Sequence, residues 1–314
     1  MKHTINVSLL LVLIFLAAQF MGLFIVSEYI DIDSTSETGK TVLNEELYVL
    51  EPPRVENESL SYIWIFAIII FGTLLVLLLI RFRQRTMWKY WFLMSVVVSL
   101  TMAFVPIVTR MLNVFPQETL SAAPTIAFIV AILLGSWKVF RPNPFVHNFT
   151  EIFLYGGIAA LLVPVINLAS GIVLLLLISA YDMFAVWQST HMVKMANFQT
   201  DSKLFAGLSI PYSKTAHKRV KHPKGLPAPP RPPKGMDAKV RTAILGGGDI
   251  AFPLLFSSAV MKHTGGFGAP FLVTIFAAGA LFLLLYYSEK NKFYPAMPFI
   301  SAGCFVGYFL SLLL

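Results

Sequence analysis

Apolar runs of about twenty residues recur along the whole chain, and that pattern leaves few folds open. A stretch such as Ile5 to Val26 or Tyr62 to Ile80 is long enough to cross the hydrocarbon of a bilayer as a helix. In lipid the backbone must satisfy its own hydrogen bonds, which favours helices. The chain therefore reads as an all-α, polytopic membrane protein. Composition agrees, since 57% of the 314 residues are hydrophobic and only 13% are charged.

Taken in order, the sequence predicts nine crossings. The first is Ile5 to Val26, whose apolar run exceeds the 7 to 15 residues usual in a signal peptide. An acidic, solvated loop from Glu28 to Leu60 follows, and its Asn57-Glu58-Ser59 sequon decides nothing. The next three crossings are Tyr62 to Ile80, about Trp91 to Val108 with a kink at Pro106, and about Leu120 to Trp137. Glu151 to Trp187 is too long for one crossing and divides at Asn167 to Gly171 into a fifth and a sixth. Ala243 to Met261, Ala269 to Tyr287 and Pro295 to Leu314 complete the set. Residues 1–187 thus form an amino-terminal six-helix part, 188–242 a basic loop, and 243–314 a three-helix part.

The net charge of +8 could suggest nucleic acid as a partner, but the basic residues concentrate in turns between the runs. With a cytoplasmic amino terminus, 20 of the 24 Lys and Arg residues fall on the inner side, leaving Lys40, Arg54, Arg110 and Lys262 outside. That asymmetry is the positive-inside pattern of a cell-membrane protein with its carboxyl terminus outside. Within the loop, Ser189 to Phe198 reads as helical, and Lys221 to Gly235 is proline-rich and should be extended and disordered. The single cysteine, Cys304, allows no internal disulfide, and the six histidines show no HExxH pairing. No metal or other cofactor is expected.

Two residues break the apolar pattern: Asp182, in the run Gly171 to Trp187, and Asp249, in the run Ala243 to Val260. A carboxylate at membrane depth costs roughly 2.5 to 3.5 kcal/mol even on lenient scales. Asp182 lies five residues before Trp187 and Asp249 six after Ala243, which on helices places both about 8 to 9 Å inside the same face. Carboxyls at matched depth can share one proton, as an acid and base do in aspartyl proteases. Gly246-Gly247-Gly248 before Asp249, and Pro253 four residues after it, loosen the backbone on both sides. The bland readings are that Tyr181 is an interfacial aromatic and Pro295 a first-turn proline. A proton- or ion-coupled transporter would also use paired intramembrane acids, although no internal repeat is visible here.

Tyr181-Asp182 and Gly246-Gly247-Gly248-Asp249 resemble the YD and GxGD motifs of the presenilin and signal peptide peptidase family of intramembrane aspartyl proteases. The stretch from Tyr181 to Ala196 and the nine-span layout are similar as well, and the compactness is most like archaeal members. The family's Pro-Ala-Leu motif stands here as Pro295-Ala296-Met297, with a nearly volume-conserving Leu to Met change. The resemblance implies that Asp182 and Asp249 are catalytic, one activating water and the other protonating the scissile amide. It also implies Tyr181, Gly246, Gly248, Pro295, Ala296 and Met297 near the substrate, which would be a transmembrane helix entering from lipid. Need for accessory subunits is not implied, and self-association is left open. The segment before the glycines, Lys239 to Leu245, mixes β-branched and polar residues and can be extended. Val240, Thr242 and their neighbours up to Ile244 are therefore expected to pair as a strand with unwound substrate, and to be poorly ordered without it.

Overall fold

A computed structural model describes residues 4–50, 52–53, 58–82, 84–187, 204–212, 241–289 and 294–314. Nine long helices and one short one carry most of these residues. They are α1 (Ile5–Tyr29), the short α2 (Ile32–Thr38), α3 (Ser61–Arg81), α4 (Arg85–Leu112), α5 (Ala123–Phe140), α6 (Pro144–Leu162), α7 (Leu168–Trp187), α8 (Gly248–Thr264), α9 (Gly268–Tyr287) and α10 (Met297–Ser311). Between α7 and α8 lie two strands, β1 (Gly207–Tyr212) and β2 (Arg241–Gly246), paired antiparallel.

Seven of the helices, α1, α3 to α7 and α9, are long and apolar enough to cross a membrane. Of the nine expected crossings, the other two correspond to α8, with 17 residues, and α10, with 15. Helix α3 turns Ile63, Trp64, Ile68, Phe71, Leu74 and Leu78 outward, as a lipid-facing helix would. Beyond the membrane-length helices, α2 is fixed by local bonds. Asp31 accepts from the Ser34 amide at 3.1 Å and hydroxyl at 2.7 Å, and these donors hold its carboxyl below the usual carboxylate range.

Helix α6 packs against α1, α4, α5, α8 and β1, and its backbone approaches two of them closely. A Cβ added at Gly157 would lie 1.8 Å from the Ser99 carbonyl oxygen of α4, and one at Gly156 would lie 2.5 Å from Ile25 Cδ1 of α1. Small residues permit such contact where lipid supplies no hydrophobic drive between helices. The remaining helices form a second group, in which α9 and α10 pack as a hairpin and α7 lies against α3, α8 and α10.

Several expectations need correction. The fold is not purely helical, because the loop expected over 188–242 contains β1 and the start of β2. The expected helix from Ala243 is strand as far as Gly246, so Asp249 sits in the first turn of α8 instead of two turns inside it. The helical rise used to match its depth to Asp182 therefore does not apply. Helix α6 begins at Pro144, where Asn143 caps the Phe145 amide at 2.9 Å, not at Glu151. Lys138, counted as a charge in a cytoplasmic turn, is buried in α5. The expected helix at Ser189 to Phe198, the proline-rich stretch Lys221 to Gly235, and Val240 lie outside the described residues.

The close approach of α4 and α6 leads to a stability prediction. Gly157→Ala should lower the thermal midpoint in detergent, by a loss of about 1 to 3 kcal/mol, since the new Cβ would displace backbone. An unchanged midpoint would show that the two helices separate at no cost.

Candidate active site

Each aspartate is held by main-chain amides from an irregular segment. Asp182, on the last turns of α7, accepts from the Met297 amide at 3.1 Å and from the Ala296 amide. Those amides open α10, whose amino terminus has no side-chain cap of its own. The first-turn amides of a helix lack internal acceptors, and Asp182 supplies one from another helix. One turn earlier, the buried Ser179 hydroxyl donates to Ser301 Oγ at 2.9 Å, fixing the register of α7 against α10. Pro295 and the Met297 side chain are buried beside this contact, and Tyr181 is half-buried.

Asp249 accepts from the Gly246 amide, and its carboxylate lies over Gly246, 3.2 Å from where a Cβ would stand. It is also close enough to Asp182 to feel that residue's charge. Pro253 has no amide hydrogen, so the Asp249 carbonyl lacks its helical donor. The next carbonyl, that of Ile250, accepts from the buried Gln19 side chain of α1 at 2.8 Å.

The register of the hairpin decides which backbone groups face outward. Pro211 is opposite Thr242 and has no N–H, so this is a pair without mutual hydrogen bonds, and by alternation so are Ser209 with Ile244 and Gly207 with Gly246. On the β1 side these groups turn to α6. Asn148 Nδ2 donates to the Ser209 carbonyl at 2.8 Å, the Ser209 amide donates to Asn148 Oδ1 at 3.0 Å, and His147 Nε2 meets the Gly207 carbonyl at 2.7 Å. On the β2 side, the outward amide of Gly246 goes to Asp249. The outward groups of exposed Thr242 and Ile244 face an edge that no strand covers among the described residues.

Thr242 is therefore a strand residue, but its order does not wait for substrate as expected, because β1 already supplies a partner. Gly248 packs against the Phe252 ring, and the closest contact in the triplet belongs to Gly247, beside the Tyr155 hydroxyl. Sequence reasoning passed over Gln19, His147, Asn148, Glu151 and Tyr155. Gln19 was findable as an amide inside an apolar run. His147, Asn148 and Glu151 lie where α6 was taken for a turn or a span boundary, and Tyr155 lies inside the fifth expected crossing.

A family model described as signal-peptide peptidase, presenilin aspartyl protease matches residues 21–314, and the chain belongs to that family of intramembrane aspartyl proteases. Two solved structures of a presenilin family intramembrane aspartate protease share its fold. One, in a P2 space group, has a TM-score of 0.60 at 15% identity over 97% of each chain. The other, in a C222 space group, has a TM-score of 0.58 at 15% identity, covering 96% of this chain and 99% of that one. No curated protein sequence matches significantly.

The clasp between α6 and β1 is open to a direct check. Asn148→Leu leaves the Ser209 amide and carbonyl without their partner, a loss of about 1 to 3 kcal/mol. Amide exchange in β1 should quicken while that of α1 and α4 holds. Equal protection in the two proteins would show that Asn148 does not hold the strand.

Proposed function

We propose that Asp182 and Asp249 form the catalytic dyad of a GxGD-type protease that cleaves transmembrane helices, with an unwound stretch of substrate added as a strand to the free edge of β2. The observation that carries this reading is the path of that edge. Its outward groups run from Thr242 through Ile244 to Gly246, whose amide donates to Asp249. A substrate strand seated there satisfies backbone groups that lipid would leave unpaired, and its next peptide bond arrives at the aspartates.

In the reaction, one carboxylate takes a proton from water as it attacks the scissile carbonyl. The other, protonated, donates to that carbonyl oxygen, and the amine leaves with a proton from the dyad. The two carboxyls titrate as a unit, so neither role is assigned to one residue. Losing the shared proton ends the cycle, and activity should fall on the alkaline side. Tyr181, Gly246, Gly248, Pro295, Ala296 and Met297 would border the substrate, with the amides of 296 and 297 holding Asp182. We further propose nine crossings, with α8 and α10 completing the set, the amino terminus and the 188–242 loop cytoplasmic, and the carboxyl terminus outside.

The test is cleavage of a single-span peptide by the purified protein in liposomes. Asp182→Asn and Asp249→Asn should each abolish it without loss of folded protein. Near wild-type turnover in either variant would exclude the dyad, and proton flux without cleavage would favour a transporter.

Substrate pairing has its own test. Thr242→Pro removes an outward amide and leaves the β1 ladder intact, since Thr242 makes no bond to Pro211. Cleavage should slow about tenfold, the worth of one hydrogen bond. Unchanged rates would rule out strand addition on this edge.

A further inference from the structure

One helix away from the aspartates lies a second buried cluster that the reaction does not use. Lys138 of α5 and Glu151 of α6 are 3% and 0% exposed and form an ion pair through Glu151 Oε1. The Tyr155 hydroxyl, one turn along α6 and 3% exposed, donates to the other oxygen, Oε2. His147 Nε2 stands 3.9 Å from Oε1, bonded instead to the Gly207 carbonyl. A buried ion pair is weak evidence for stability, because desolvation offsets most of its attraction. What this one does is hold the Tyr155 hydroxyl in a single place.

That place is the turn before Asp249. A Cβ at Gly247 would lie 2.9 Å from Tyr155 Oη, closer than such atoms approach. Gly247 has φ −64° and ψ −32°, which any residue adopts, so its backbone makes no demand for glycine. The demand is the space that the hydroxyl fills. The Gly247 amide also donates to the Ala206 carbonyl at 3.1 Å, joining the turn to the residue before β1.

We infer that Tyr155 is a positioning residue for Asp249: its hydroxyl, anchored by Glu151, wedges against Gly247 and fixes the turn that aims the carboxylate. Resting on the proposed catalytic role of Asp249, this explains an ion pair, a tyrosine and a glycine together. It also makes a claim about this chain's own variable position in GxGD, where glycine is required only as long as Tyr155 stands opposite.

The experiment is a double-variant cycle on the full chain in liposomes with the single-span peptide. Tyr155→Phe and Gly247→Ala should each lower kcat about 10- to 100-fold with KM unchanged, as a slightly misaimed group does. Removing the hydroxyl makes room for the new methyl, so the double variant should be no worse than either single one. Multiplying losses, or a wild-type kcat in Tyr155→Phe, would overturn the inference. Should Tyr155→Phe not fold, a second comparison decides. Lys138→Met with Glu151→Gln keeps an acceptor for the hydroxyl and should stay within about threefold of wild type, whereas Lys138→Met with Glu151→Leu should fall as far as the single variants. Equal activity in these two overturns the inference as well. Amide exchange at Gly246 and Gly247 needs no cleavage at all. It should quicken in Tyr155→Phe, and unchanged exchange there counts against the inference even if the wild-type protein cleaves nothing. Cleavage by wild type and none by Asp249→Asn upholds the underlying reading whatever Tyr155 does.

Discussion

Unpaired backbone is the most expensive thing to leave near lipid, and the region around Asp249 is governed by how that cost is met. A helix meets it internally, but β1 and β2, which lie between α7 and α8 in the chain, pair as strands beside the site. Helix α6 takes up the Gly207 carbonyl through His147 and the Ser209 amide and carbonyl through Asn148. On the other strand the Gly246 amide is taken up by Asp249. Thr242 and Ile244 face outward on an edge that no strand covers among the described residues, and this is the edge proposed for substrate.

The other carboxyl obeys the same rule from the opposite side. Helix α10 starts without a capping side chain, and Asp182 reaches across from α7 to accept from its first amides. The contact is with main chain, and any residue except proline at 297 supplies the donor. This is why methionine at that position is compatible with the contact, its side chain being buried in the core. Both aspartates are thus fixed by backbone amides at the ends of helices or strands, where such amides are free. Ser179 and Ser301 hold the register of one such contact, and Gln19 braces the backbone just after the other.

How much of this was legible follows from what periodicity can report. The apolar runs located most of the membrane-length helices, and two acids in such runs located Asp182 and Asp249, because each departs from a strong local pattern. The boundary of α6 was missed for a physical reason: Asn143, Pro144, His147, Asn148 and Glu151 look like a polar turn. His147, Asn148 and Glu151 have partners on β1 and α5, and Asn143 caps the Phe145 amide, which the run by itself does not show. The hairpin was half legible, since the β-branched residues of 240–245 suggested extension but nothing marked Gly207 to Tyr212 as the partner. Pairing between distant segments leaves little trace in either one alone.

Glycine carries the same lesson in a sharper form. Gly246, Gly247 and Gly248 look alike in sequence and suggest one shared cause, a flexible or closely approached backbone. In the structure their surroundings differ: the first lies under the Asp249 carboxylate, the second against the Tyr155 hydroxyl, and the third in ordinary contact with Phe252. Only the second meets a contact too short for any side chain, and the atom it meets is held in place by a buried ion pair two helices wide. A glycine in a right-handed conformation is therefore a statement about its neighbour and not about its own torsion angles. Here the neighbour is on α6, the same helix that holds β1, so one helix sets both the strand that carries the open edge and the turn that carries Asp249.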